Sequence, residues 1–242
     1  FWSLAPEQKD EVLARMVICP NINHNAEQIL KAIATKSPEK VIDFFGKRLA
    51  HERGLQSSRG YDEIPYEFHD LRETLQKVPE QLVAKVREWF ACDNELFAYR
   101  GGRMIAAVFP EPEDQLLKPL HELTVTGKPD DVEFVIEVLK NYHGQAILHG
   151  LFKDLIEVLP EDSPLLGGIS VALESAGVVS GEFGHVAAYL RKKDEIKPWL
   201  DDSREKIRAF AHNHTLSLER QIADEQRRSE QSVELRKRDY GE

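Results

Sequence analysis

Two cysteines among 242 residues exclude most of what cysteine does for a fold. Cys19 and Cys92 cannot build a disulfide framework or a cysteine-rich zinc site, and such sparing use fits a reducing, cytoplasmic setting. No stretch approaches the ~18 consecutive apolar residues of a membrane-crossing helix. Residues 1–6 are too short, and lack the basic start, for a signal peptide. A surplus of positive charge is missing too: 32 Lys and Arg against 42 Asp and Glu leave a net charge of −10. Non-specific phosphate binders need a basic face, so nucleic acid is disfavoured as a partner, and an anionic membrane surface is disfavoured for the same reason. Aromatics are few at 8%. Alternating runs of Val, Ile and Thr are hard to find, which removes the signal for strands.

What is present is a rhythm of helix starts. Val78-Pro79-Glu80, Glu111-Pro112-Glu113 and His143-Gly144-Gln145 recur about 33 residues apart, with a further start near Ser180-Gly181-Glu182. Each opens an apolar run of helical period, then a break, then a second such run. A repeat of two helices at this period predicts an all-α fold, an α-solenoid of antiparallel helix pairs. Upstream, Ile29, Leu30, Ile33 and Ala34 mark a buried stripe, and Val41, Ile42, Phe45 and Leu49 mark the next. Ser37-Pro38-Glu39 is a strong start: a capping hydroxyl, a Pro at the first helical position, and an acid at the positive end of the helix dipole. Helices are also predicted over 69–76, 80–91, 94–109, 113–125, 130–142, 146–158, 164–176 and 182–193. Within 94–109, Gly101-Gly102 costs helical stability unless neighbouring backbones approach closely there.

Two segments exceed what packing needs. Residues 54–68 form a connection of 15 residues with Gly54, Gly60, Ser57, Ser58 and Pro65, where helix connections usually run two to eight. Tyr61, Tyr66 and Phe68 are interleaved in it. They either fold back onto neighbouring helices or serve a partner as anchors. The second segment follows a stripe of Ile207, Phe210, Ala211, His214, Leu218 and Ile222. Beyond Ile222 the stripe fades, yet helix-favouring residues continue, with Asp224 four before Arg228 and Glu234 four before Arg238. From Ser203 to Arg238 such a helix spans about 54 Å. A domain over 1–222 and a polar helical extension over 223–242 follow. The extension either stands in solvent, docks on a partner, or self-associates with a second copy.

Signals for chemistry are sparse. There is no Walker or dinucleotide loop and no nucleophile elbow. His121-Glu122 and His51-Glu52 open like a zinc-protease helix, but Val125 and Leu55 stand where the second histidine belongs. His212 and His214 lie about 200° apart around a helix and cannot share an ion. The acidic clusters at 111–114, 130–131, 161–162 and 201–202 lie at helix beginnings, where the dipole explains them. No catalytic residue, cofactor or metal ligand is assigned.

One segment carries a family resemblance. In Ile196-Lys-Pro-Trp-Leu-Asp-Asp-Ser-Arg-Glu-Lys-Ile-Arg-Ala-Phe-Ala, Pro198, Asp201 or Asp202, Ile207, Arg208 and Ala211 resemble the second half of a HEAT repeat. The resemblance implies that the Asp caps the second helix, the Arg reaches a neighbouring repeat's turn, and the Ala lets helices approach. The Glu/Arg-rich end, from Arg208-Ala-Phe-Ala through Leu218-Glu-Arg to Tyr240-Gly241-Glu242, is similar to C-terminal helical-repeat regions of large bacterial multidomain proteins. With a start at Phe1, this implies the C-terminal part of a longer protein, with a catalytic domain upstream as one option. The expected function is a non-enzymatic protein–protein interaction scaffold or sensor, with Tyr61, Tyr66, Phe68, Arg227, Arg228, Glu234 and Arg238 as partner contacts. One alternative is a HEAT-like nucleic-acid binder using Arg100, Arg103, Arg191, Lys192, Lys193 and Arg208 on a concave face. A second is an enzyme whose site assembles from distant His and carboxylate residues.

Overall fold

Periodic apolar positions, with Pro or an acid opening most runs, become helices throughout the computed structural model, which describes residues 6–55, 60–92 and 96–240. Ser57, Ser58 and Gly241-Glu242 lie outside the described residues. Among those described there are twelve α-helices and no strand, and the chain divides into two compact units at Tyr142/His143. No helix among them is long and apolar enough to cross a membrane.

The first unit holds α1 (Pro6–Met16), α2 (His24–Ala34), α3 (Pro38–Arg53), α4 (Arg72–Leu75), α5 (Pro79–Cys92), α6 (Leu96–Val108), α7 (Asp114–Val125) and α8 (Pro129–Leu139), closed by a 3₁₀ turn at Lys140–Tyr142. Asn23 caps α2 by accepting the Ala26 N–H at 3.0 Å. Ser37 makes no such bond, and Pro38 alone marks that start. The helix predicted over 69–76 shrinks to the single turn of α4. Just ahead of that turn the buried Glu27 carboxylate accepts the N–H groups of Asp70 and Leu71 at 2.8 and 2.9 Å. The Gly101-Gly102 pair does not interrupt α6. A Cβ at Gly101 would stand 2.7 Å from Val86 Cγ1, and one at Gly102 would stand 3.2 Å from the Glu137 carbonyl oxygen. The glycines thus let α6 lie close against α5 and α8. The core gathers Ile42, Phe45, Phe68, Val86, Ile105 and Val135, all at most 1% exposed.

The second unit opens with a 3₁₀ turn at Ala146–Leu148 and continues through α9 (His149–Val158), α10 (Leu165–Glu174), α11 (Gly184–Ile196), a 3₁₀ turn at Lys197–Asp201, and α12 (Glu205–Tyr240). Of the predicted stripe of α12, Ile207, Phe210, Ala211, His214 and Leu218 are buried, and Ile222 at its end is half-buried. α12 crosses residue 222 as one continuous helix. It runs back along α11, because Lys193 pairs with Glu219 and Arg236 with Glu182, each at 2.7 Å. Trp199 fills the corner between them, its ring edge-on to His149 at 5.1 Å. At that corner Arg208 donates to the Asp202 and Ser203 carbonyls at 2.7 and 2.9 Å, closing its own turn. Asp202 accepts the Arg204 N–H at 3.1 Å and Lys153 Nζ of α9 at 2.8 Å. Arg204 and Lys153 hold its carboxyl well below the usual range.

Candidate functional site

Arg48 lies on the apolar stripe of α3, three residues after Phe45, and is 0% exposed. A buried guanidinium must find acceptors for its five N–H groups. Arg48 finds six backbone carbonyls. Nε donates to Glu63, Nη1 to Met16, Val17 and Cys19, and Nη2 to Pro20 and Asp62. One side chain thus ties the α1–α2 connection to the long connection after α3. Tyr61 covers this clamp: its ring stacks 4.6 Å from the guanidinium carbon and its hydroxyl donates to the Val17 carbonyl. Burial lowers the Arg48 pKa, opposed by Tyr61 and Asp62, and burial likewise raises that of Tyr61.

A second layer fastens the same connection from α6. Arg100 makes a two-pronged pair with the buried Glu52 and reaches Glu63 Oε1 at 3.2 Å. Arg103 donates to Asp62 Oδ1 at 3.2 Å and to the Ile64 carbonyl. Its guanidinium carbon lies 4.0 Å from the centre of the Tyr66 ring. That ring is 83% exposed. Tyr66 is therefore an outward aromatic on a cationic seat, and the Arg103 beneath it is held by Asp62 and the Ile64 carbonyl.

The three predicted aromatics therefore part company. Phe68 is a core side chain, 1% exposed and 5.3 Å from the Phe45 ring. Tyr61 faces inward onto Arg48, and Tyr66 alone faces outward. On α12, Arg227 and Arg228 are exposed and pair one turn back with Asp224 and Glu225, not with the spacing of four read from the sequence. Glu234 and Arg238 are exposed and flank Leu235, itself 59% exposed. Sequence reasoning missed Arg48 and Glu27 as fasteners. The signal was available for Arg48, since it occupies a stripe position one turn from Phe44 and Phe45.

The cations proposed for a phosphate backbone have internal partners. Arg100 and Arg103 hold acids of the first unit, as above. Lys192 is buried and donates to the His143 and Gly144 carbonyls at 2.7 and 3.1 Å, and Lys193 holds Glu219. Arg208 closes its turn, and Arg191 lies 4.0 Å from Glu195. Among the described residues no group of three His, Cys, Asp or Glu side chains is placed to hold a metal ion. His149 is packed against Trp199, and burial lowers its pKa. His214 is sealed inside the second unit with no hydrogen bond to either ring nitrogen; Glu174 Oε1 stands 3.6 Å from Nδ1. Comparisons with protein-family models, curated proteins and solved structures find no match for this chain.

Proposed function

We propose that this chain is a non-enzymatic protein-interaction module, a HEAT-like stack of helix pairs in which Tyr66 anchors a protein partner. The single observation behind this reading is the exposed Tyr66 ring on its fixed seat. An exposed aromatic on a mobile loop would lose entropy on binding, whereas one held in advance does not. Tyrosine centred on such a seat is the residue type that dominates interface energetics. The stacked-pair reading draws support from the order of packing in the first unit: α5 lies on both α6 and α7, α6 on α8, and α7 on α8. That is the neighbour pattern of one helix pair laid on the next.

Tyr66→Ala tests the proposal. The side chain is too exposed for its loss to unfold the chain. Proteins captured from native lysate by the wild-type chain, quantified against the variant, should include one weakened by roughly thirtyfold, the ratio equivalent to a hot-spot loss of ~2 kcal/mol. Tyr66→Phe should keep most of that binding. Identical capture by wild type and Tyr66→Ala would refute the reading.

A further inference from the structure

The second unit carries a trough of about 470 Å³ between α12 and the α9–α10 connection. Its floor follows α12 from Glu205 to Ser217, thirteen residues spanning about 18 Å along the axis. A volume of that size spread over that length is about one side chain wide, the shape of a groove for a chain segment and not of an enclosed small-molecule cavity. Its lining mixes the apolar Ile156, Leu159 and Leu166 with the polar Ser170, Asn213 and Ser217, and the largely buried Phe210 and His214 rings stack beneath at 5.5 Å and 15°. Gly167 widens it, because a Cβ there would meet no heavy atom within 4 Å.

The rim decides the occupant. Glu161 and Glu205 line it, and neither has an ion-pair partner among the described residues. The one cation in the lining, Lys206, spends its ammonium on the Glu157 and Leu159 carbonyls at 2.9 and 3.1 Å. The trough thus offers apolar and neutral polar groups within and is acidic at its edge, with its own lysine already committed. We infer that this trough receives a segment of a protein partner that carries apolar side chains flanked by Lys or Arg. It is a site separate from Tyr66, and it rests on the interaction-module reading only in naming a protein as the partner. The mode is a helix or extended segment laid in a groove, with apolar anchors giving affinity and the acids choosing the sign of charge.

The experiment is fluorescence anisotropy with the whole chain and two labelled peptides of equal length. The first has Leu at helical spacing and Lys elsewhere; the second replaces every Lys with Glu. The Leu/Lys peptide should bind and the Leu/Glu peptide should not. Gly167→Leu puts a side chain into the trough from a position whose Cβ meets no heavy atom within 4 Å, so the helix should keep its stability while binding weakens by about tenfold or more. Glu161→Gln with Glu205→Gln should weaken it by about three- to tenfold at low salt. Tyr66→Ala should leave it unchanged, so failure at one site is separable from failure at the other. Absence of binding by the wild-type chain, equal binding by Gly167→Leu, or equal binding of the two peptides would each overturn the inference.

Discussion

Replacing Arg48 with Met removes the guanidinium that joins two connections of the first unit and keeps the length of its apolar stem. Six carbonyl groups lose a donor: those of Met16, Val17, Cys19, Pro20, Asp62 and Glu63. Taking one partner out of a buried, hydrogen-bonded charge arrangement costs about 3–5 kcal/mol, because the groups left behind are already desolvated. Water reaching the looser connection recovers part of this, so about 4 kcal/mol is the expected loss. Total stabilities are of the order of 5–15 kcal/mol, so this is a large fraction. At roughly 2–4 °C per kcal/mol for a chain of this size, the melting temperature should fall by about 8–16 °C. Arg48→Lys keeps the charge but offers three donors on one atom, and it cannot span carbonyls from two connections. It should recover no more than about half of the loss. Thermal unfolding followed by circular dichroism measures both. Hydrogen exchange at the Asp62 amide, which donates to the Pro20 carbonyl at 2.8 Å, reports the same event locally and should accelerate in Arg48→Met. A melting temperature lowered by less than ~3 °C, with that amide still protected, would refute the clamp.

Three further outcomes are expected. His214 has a pKa lowered by burial to about 4. Below pH 6.5 the unfolded chain takes up a proton that the folded chain refuses until about pH 4, so this group's stability is full above pH 6.5 and is lost as pH falls through that window. The span is about 3 kcal/mol at most, since the nearby Glu174 favours the protonated form. Chemical denaturation of the wild type between pH 7 and 4 should show this fall, and His214→Leu, which removes two unpaired nitrogens, should flatten it. Gly144→Ala should destabilise by about 2–4 kcal/mol, because φ is +56° and the new Cβ would stand 2.8 Å from Leu173 backbone atoms; a shift in denaturation midpoint checks it. Deleting residues 225–242 should lower the melting temperature by no more than about 2 °C, since the described segment is held by exposed pairs such as Arg236–Glu182, and a larger drop would make the segment structural.

The helices were legible in the sequence because their apolar residues repeat at helical period and Pro or acids open most runs. The stripe on α12 is legible from Ile207 to Leu218, His214 included, while Ile222 is only half-buried. The tight approach of α6 to its neighbours was legible in Gly101-Gly102, though the glycines looked like an interruption. The sequence misled at residues 69–76. Leu71 and Leu75 give helical spacing there, but only Arg72–Leu75 forms a helical turn, and the backbone just ahead of it is tied to Glu27, more than forty residues earlier. No local pattern announces such a bond. The candidate site was half legible for the same reason. The length of the 54–68 connection pointed to it, and its aromatics were visible. Which ring turns outward depends on Arg48 and Arg103, which come from two different helices.

Charge is where sequence totals and spatial arrangement have to be read together. A net charge of −10 is a sum, and a sum leaves room for a basic face. The structure shows what the strongest cations do: Arg48, Arg100, Arg103, Lys192 and Arg208 are spent on carbonyls and carboxylates of their own units. With these cations committed to partners of their own units, Glu161 and Glu205 stand at the edge of the trough without an ion-pair partner among the described residues. Acids in that position discriminate by sign. A polyanion brought near them gains when they are neutralised, so Glu161→Gln with Glu205→Gln should strengthen nucleic-acid binding if nucleic acid is the ligand. A basic protein segment loses, so the same variant should weaken it. Both ligands weaken with salt, and a salt titration alone does not tell them apart. The direction of the change on neutralising two rim carboxylates does, and it is the weakening that this arrangement of charges predicts.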